Sequence, residues 1–291
     1  RMMDGPKFDR DAWSVQGVHQ NITPWFKEAE LRFGSGTIDH VMDNFSMRPV
    51  NRMMGQRLNN PKRTVRTAHF KSTLEWGNLN VQAGLDWSRD RHRARMGADY
   101  LAKPFMPTQS FRQAGAFAEA AWKRTPEQKL VAGLRHDRAA SGKAGAAREK
   151  TSATTKRLGV LYASAARIHP YISYAESFEP QAARQGQTFK PLRGKQWEIG
   201  LKYEPEGRAL ALNAALYHLR EQNRIRTLRP DVYDQLGETR TRGLELEARG
   251  RLAPRLELLA HYNHIRPDAQ LEGLPKHQAS LWAMHYFGAS R

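Results

Sequence analysis

Apolar and polar residues alternate one for one over stretches of about ten residues, and the pattern recurs along most of the chain. Leu210, Leu212, Ala214 and Leu216 hold one parity while Asn213 and Tyr217 hold the other. Trp197, Ile199, Leu201 and Tyr203 alternate with Glu198, Gly200 and Lys202. In Leu244, Leu246, Ala248 and Leu252 the apolar set is separated by Glu245, Glu247, Arg249 and Arg251, four charges that would share the opposite face. A period of two means β-strand, because successive side chains leave a strand on opposite sides. A charged face behind an apolar one suits a sheet with lipid on one side and water on the other.

The connections come in two sizes that themselves alternate. Short ones sit at Gly77-Asn78, Thr125-Pro126-Glu127, Ala166-Arg167, Pro205-Glu206-Gly207 and Ala253-Pro254-Arg255, each joining two strand-like stretches as a hairpin. Long polar ones run over 46–63, 93–110, 140–154, 179–193, 223–234 and 266–275. Short turns at one end and long loops at the other describe an outer-membrane barrel. The rhythm predicts about 13 or 14 strands, with the hairpins 111–123/128–140, 194–204/209–222 and 236–251/256–267 the best defined. A soluble sandwich or propeller shares the alternation. Strands of about ten residues or more, longer than soluble sheets ordinarily use, favour the membrane barrel.

Composition narrows the picture. The chain has 291 residues, 40% of them hydrophobic, and nowhere a run of about 18 apolar residues that could form a transmembrane helix. There is no cysteine, which removes disulfides, thiolate catalysis and cysteine-metal clusters. The start Arg1-Met2-Met3 shows no export signal, an expectation of a mature protein or a fragment. The formal charge is +18, with 47 Lys plus Arg. That balance raises a different class of function, a soluble basic β-protein that binds polyanions. The bases recur in nearly every segment instead of gathering in one, which argues against a nucleic-acid partner. No glycine-rich phosphate loop, nucleophile elbow or zinc-binding helix motif is present, and an enzyme is not expected.

The residues Tyr171-Ile172-Ser173-Tyr174-Ala175-Glu176-Ser177-Phe178-Glu179-Pro180, then Phe189-Lys190-Pro191 and Gly194-Lys195-Gln196-Trp197-Glu198-Ile199-Gly200-Leu201-Lys202-Tyr203, resemble the late barrel of TonB-dependent ferric-siderophore receptors. Gly237-Glu238-Thr239-Arg240-Thr241-Arg242-Gly243-Leu244-Glu245-Leu246-Glu247 and Glu272-Gly273-Leu274-Pro275-Lys276-His277 resemble later parts of the same barrel. In the first third, Asp39-His40-Val41-Met42-Asp43-Asn44-Phe45-Ser46-Met47-Arg48-Pro49 and Asn60-Pro61-Lys62-Arg63 resemble the copper-receptor branch of the family. The resemblance implies a barrel of roughly 22 strands around an N-terminal plug. On that expectation, 1–291 is the C-terminal part of a barrel domain, a fragment without its plug and without the full strand complement.

In the copper branch a His-x-Met pair of the barrel faces a Cys-x-x-x-Met pair of the plug. His40 and Met42 match the barrel half, while this sequence holds no cysteine to supply the other. The chemistry is sensible on its own terms, since residues i and i+2 of a strand share a face and would present an imidazole with a thioether, a donor pair that suits copper. Met47, Met53 and Met54, with Met2 and Met3, would extend a path of soft ligands, and they equally suit apolar filling. Aromatic residues Trp197, Tyr203, Tyr217, Tyr262, Trp282 and Tyr286 are expected as interfacial girdles. The function expected is import of copper through the outer membrane of a Gram-negative bacterium, with ferric-siderophore uptake as the alternative. The partners expected are the TonB complex acting through a plug, outer-membrane lipid and lipopolysaccharide, and the metal or its chelate as cargo; no resident cofactor and no nucleic acid is expected.

Overall fold

The computed structural model describes residues 3–288 apart from 48, 51, 52, 54, 144, 146, 182–186, 208, 230, 231, 269, 270 and 272. Met2, Arg48, Met54 and Glu272, all named above, therefore lie outside the described residues. Fifteen strands are described: β1 (Asp4–Gln20), β2 (Phe26–Asp43), β3 (Leu58–Trp76), β4 (Leu79–Met96), β5 (Met106–Lys123), β6 (Gln128–Lys143), β7 (Glu149–Tyr162), β8 (Ile168–Glu179), β9 (Leu192–Tyr203), β10 (Ala211–Gln222), β11 (Ile225–Arg229), β12 (Val232–Gln235), β13 (Glu238–Ala253), β14 (Leu256–Pro267) and β15 (His277–His285). Thirteen form one sheet in simple chain order, while β11 and β12 pair separately inside the predicted 223–234 loop. All five short turns fall where the sequence puts them. The long loops are shorter than expected, because β4 runs on to Met96, β6 to Lys143, and β3 and β7 begin at Leu58 and Glu149. Seventeen to nineteen residues in each of β1 to β5 exceed the 9–11 needed to cross a bilayer, so these strands project well beyond it.

Residue contacts divide the chain into two compact units, one of 1–75, 82–118 and 135–154, the other of 76–81, 119–134 and 155–291. In the second, cross-strand register lines up Ile172, Ile199, Leu216 and Leu244 on adjacent strands β8, β9, β10 and β13. Ile199 and Leu216 are 58% and 57% exposed, so this apolar face is not packed on a second sheet as a soluble sandwich would require. The opposite face carries Glu198, Tyr217, Glu245 and Asn213. There Tyr171 lies directly across from Gly200, and Tyr217 from Gly243. A Cβ on either glycine would come within 2.3 Å of the tyrosine ring. Each ring thus lies flat over bare backbone, pinning the register.

Register also sorts the expected girdle. Trp197, Tyr203 and Tyr262 share the apolar face, Tyr203 being paired with Leu212 and Tyr262 with Leu246. Tyr217 and Trp282 do not. Tyr217 covers Gly243 on the polar side, and Trp282 pairs with Leu259 in the parity of His261 and Ser280. Alternation within β10 already sets Tyr217 apart from Leu216, whereas the face of Trp282 follows only from the parity that β14 presents to β15.

In the first unit the apolar face is set by Val15, Phe33 and Ala68 and by Gly17, Leu31 and Phe70, each a row across β1, β2 and β3. Further toward the long loops the same face becomes polar: Trp13, Ser35 and Arg66, then Asp9, Asp39 and Lys62. An aromatic residue at that boundary, with charge beyond it, is the layering expected where strands leave hydrocarbon for headgroups.

Candidate metal and ligand site

His40 and Met42 sit near the loop end of β2, on the parity of Glu30 and Arg32, hence on the polar face. His40 lies across from Phe8, with ring centroids 6.0 Å apart, and Met42 lies across from Asn59. Both are half-buried, and His40 Nδ1 is buried with no hydrogen-bond partner. Between them Val41 points to the other face, where the end of β2 is fastened. Asn60, fully buried, donates to Asp39 Oδ1 (2.7 Å) and to the His40 carbonyl (2.9 Å), and accepts from Arg95 Nε at 2.7 Å. The Arg95 guanidinium is 4.3 Å from the centroid of Phe105 and 5.0 Å from that of Tyr100, an arrangement that ties the 97–105 loop to the strand. Within that loop Lys103 Nζ lies 2.6 Å from Asp99, and this hydrogen bond holds the Asp99 carboxyl below its ordinary value.

The other methionines of the expected set are not brought to this pair by the described structure. Met47 is 70% exposed, its amide donating to Asp4 Oδ2 at 3.2 Å, and Met53 is 95% exposed on the loop. Asp43 shapes the loop's start, accepting from the amides of Phe45 and Ser46. Asn44 closes its base by donating to the Gly55 carbonyl and accepting from the Arg57 amide. Among the described residues no three His, Cys, Asp or Glu side chains converge to hold a metal ion.

The polar face below carries ion pairs that inspection of single strands does not reveal. Glu30 receives Arg32 (2.7 Å) and Lys71 (3.0 Å), and Arg63 reaches Asp90 (2.6 Å) across β3 and β4. Arg135 binds Asp137 through Nε and Nη2 (2.8 and 2.6 Å) and Asp86 through Nη1 and Nη2 (2.7 and 2.9 Å). Gly115 leaves the space this guanidinium fills, since a Cβ there would be 2.1 Å from Nη2. A water-facing wall of paired charges fits the interior of a receptor barrel.

The family model described as TonB dependent receptor-like, beta-barrel matches residues 3–290. The chain belongs to this family of TonB-dependent receptor barrels. It is therefore part of an outer-membrane receptor barrel of the kind Gram-negative bacteria carry. The ferrichrome outer membrane transporter/phage receptor of Escherichia coli (strain K12) is 36% identical over 146 residues, covering 46% of this chain and 20% of that protein. The ferrioxamine B receptor of Salmonella typhimurium (strain SL1344) is 30% identical over 214 residues, covering 67% of this chain and 28% of that receptor. Among solved structures, the copper transporter OprC superposes with a TM-score of 0.79 at 21% identity, over 91% of this chain and 46% of that one. The TonB-dependent barrel thus accounts for the chain from end to end, while the chain spans under a third of the length of these curated relatives.

Proposed function

We propose that this chain is the barrel part of a receptor that imports a metal as its organic chelate, with a ferric hydroxamate siderophore as cargo. The observation that carries this reading is sequence kinship: the 30–36% identity is to receptors named for ferrichrome and ferrioxamine, both hydroxamates. The chemistry agrees, because a chelate brings its own donors and asks of the receptor only polar and aromatic contacts, and no cluster of metal-binding residues is found among those described. A plug and the TonB complex would supply release and energy. The test is uptake of radioactive iron by cells that lack their own hydroxamate receptors and express the receptor carrying this chain. TonB-dependent accumulation from ferrichrome or ferrioxamine is expected; accumulation no greater than in cells without the receptor would sink the reading.

Copper is the second reading, favoured by one separate observation: His40 and Met42 present an imidazole and a thioether on one face, with His40 Nδ1 unpartnered. Competition for Cu(I) against a chromogenic chelator, comparing the chain with its His40→Ala, Met42→Ala double variant, decides it. A drop in affinity of about tenfold or more supports copper. Equal affinities retire it.

A further inference from the structure

In the second unit the row Ile172, Ile199, Leu216 and Leu244 does not end in another apolar residue. It runs on into two histidines, His264 across from Leu244 and His277 across from His264. His277 opens β15, and His264 stands just before the end of β14. The Ile265 amide donates to the Lys276 carbonyl at 2.8 Å, and this rung fixes the kind of pair that lies beside it. Directly opposed residues of an antiparallel ladder alternate between hydrogen-bonded and non-hydrogen-bonded pairs. His264 and His277 are therefore a pair of the second kind, whose side chains stand closest.

The two rings turn the same atom toward each other. His264 Nδ1 lies 3.3 Å from His277 Nδ1, with ring centroids 4.5 Å apart, and the Tyr262 hydroxyl lies 2.9 Å from His277 Nδ1. Tyr262 shares the face of His264 because it is the next residue of the same parity. An imidazole Nδ1 carries either one proton or one lone pair, so His277 Nδ1 can serve only one of its two close neighbours well. A cation would serve all three atoms. Two imidazole nitrogens, each about 2.0–2.1 Å from a tetrahedral zinc ion, stand about 3.3 Å apart, which is the separation already present. Tyr262 and His264 are half-buried, while His277 is exposed and gives an ion its way in. The third donor is a phenol, so the set differs from the three-residue His, Cys, Asp or Glu clusters, of which none occurs among the described residues.

We infer that His264, His277 and Tyr262 hold a divalent transition ion, zinc or copper(II), as a clip that ties β14 to β15 where their long connection begins. Imidazole suits both ions, and none of the three donors is the thioether or thiolate that Cu(I) prefers. An ion bound by both strands closes the loop between them, and it stabilises the paired state because it binds only that state. The chain has no cysteine with which to make such a closure covalently. The ion is a fixed part of the wall and not cargo, so the failure of this inference leaves both uptake readings untouched.

The experiment is tryptic cleavage of the full chain in detergent, with micromolar Zn²⁺ or millimolar Mg²⁺. Zn²⁺ should slow cleavage of the bond between Lys276 and His277 by about fivefold or more. Cleavage after Arg124, at a short turn, should not change, and Mg²⁺, which prefers oxygen ligands, should protect neither bond. This comparison uses the wild type alone, so a variant that misfolds cannot decide it. Calorimetric titration with Zn²⁺ then locates the donors: His264→Gln and His277→Gln should each weaken binding by about tenfold or more, and Tyr262→Phe by less. His261→Gln, beside Tyr262 but on the opposite face, should bind as the wild type does, and so should the His40→Ala, Met42→Ala double variant. The inference is overturned if Zn²⁺ leaves the bond between Lys276 and His277 as cleavable as before, or if Mg²⁺ protects it equally. It is overturned too if either control loses as much affinity as His264→Gln.

Discussion

Gly115→Ala, taken together with Arg135→Ala, tests whether the charged wall of the polar face is built around the space a missing side chain leaves. A methyl on Gly115 would lie 2.1 Å from Arg135 Nη2 and 2.8 Å from Asp137 Oδ1, so the guanidinium must move. Moving it weakens four charge-assisted bonds of 2.6–2.9 Å and leaves Asp137, only 3% exposed, with the neutral Gln113 Nε2 donor at 3.1 Å. Because Arg135 and Asp86 are each about one-third exposed, water recovers part of the loss. Removing Arg135 should then cost about 3 kcal/mol, at the low end for breaking a buried ion pair. Gly115→Ala alone should cost about 2 kcal/mol, as ordinary overpacking does. In the double variant the methyl meets no guanidinium, and the total should stay near 3 kcal/mol, a coupling of about 2 kcal/mol. Urea unfolding in detergent, followed by tryptophan fluorescence, measures all four corners of the cycle. Additive costs near 5 kcal/mol, or a Gly115→Ala cost under about 0.5 kcal/mol, would refute the reasoning.

Gly200→Ala and Gly243→Ala should each destabilise by about 1–3 kcal/mol by lifting Tyr171 and Tyr217 off the backbone. Gly17→Ala, with nothing within 4 Å of its new methyl, should be neutral or stabilising as alanine usually is in a strand; the same urea titration compares the three, and loss at Gly17 would undo the argument. Arg95→Ala should free the 97–105 loop, seen as faster chymotryptic cleavage at Tyr100 and Phe105, while Arg95→Lys should fall between because it keeps charge but not the planar stack. Unchanged cleavage would mean that the two aromatic contacts do not hold the loop.

The strand set was legible because a period of two is imposed wherever one face meets hydrocarbon, and the five short turns carry their own residue chemistry. Loop boundaries were less so. Arg89-Asp90-Arg91-His92-Arg93-Ala94-Arg95 looks polar throughout, yet β4 continues through it, since a strand standing in water beyond the bilayer needs no apolar side. For the candidate site, the shared face of His40 and Met42 followed from spacing alone, whereas the Asn60–Arg95 clasp behind them joins residues 35 apart and leaves no local trace. The Arg135 cluster was hidden for the same reason: Asp86, Gly115 and Arg135 stand on three different strands.

The same segment explains how a surplus of +18 can coexist with a well-paired polar wall. Consecutive residues of a strand go to opposite faces, so a window average mixes two populations that never meet. Asp90 reaches Arg63 on one face, while Arg95 reaches Asn60 on the other, in company with the parity of Arg89, Arg91 and Arg93. One strand thus sends Asp90 to Arg63 on one face and Arg95 to Asn60 on the other. Sorting charge by parity therefore separates groups that a window average merges. High positive charge, taken as a single number, favours a soluble polyanion binder. Divided by face, the same charge fits a barrel whose two sides meet different media.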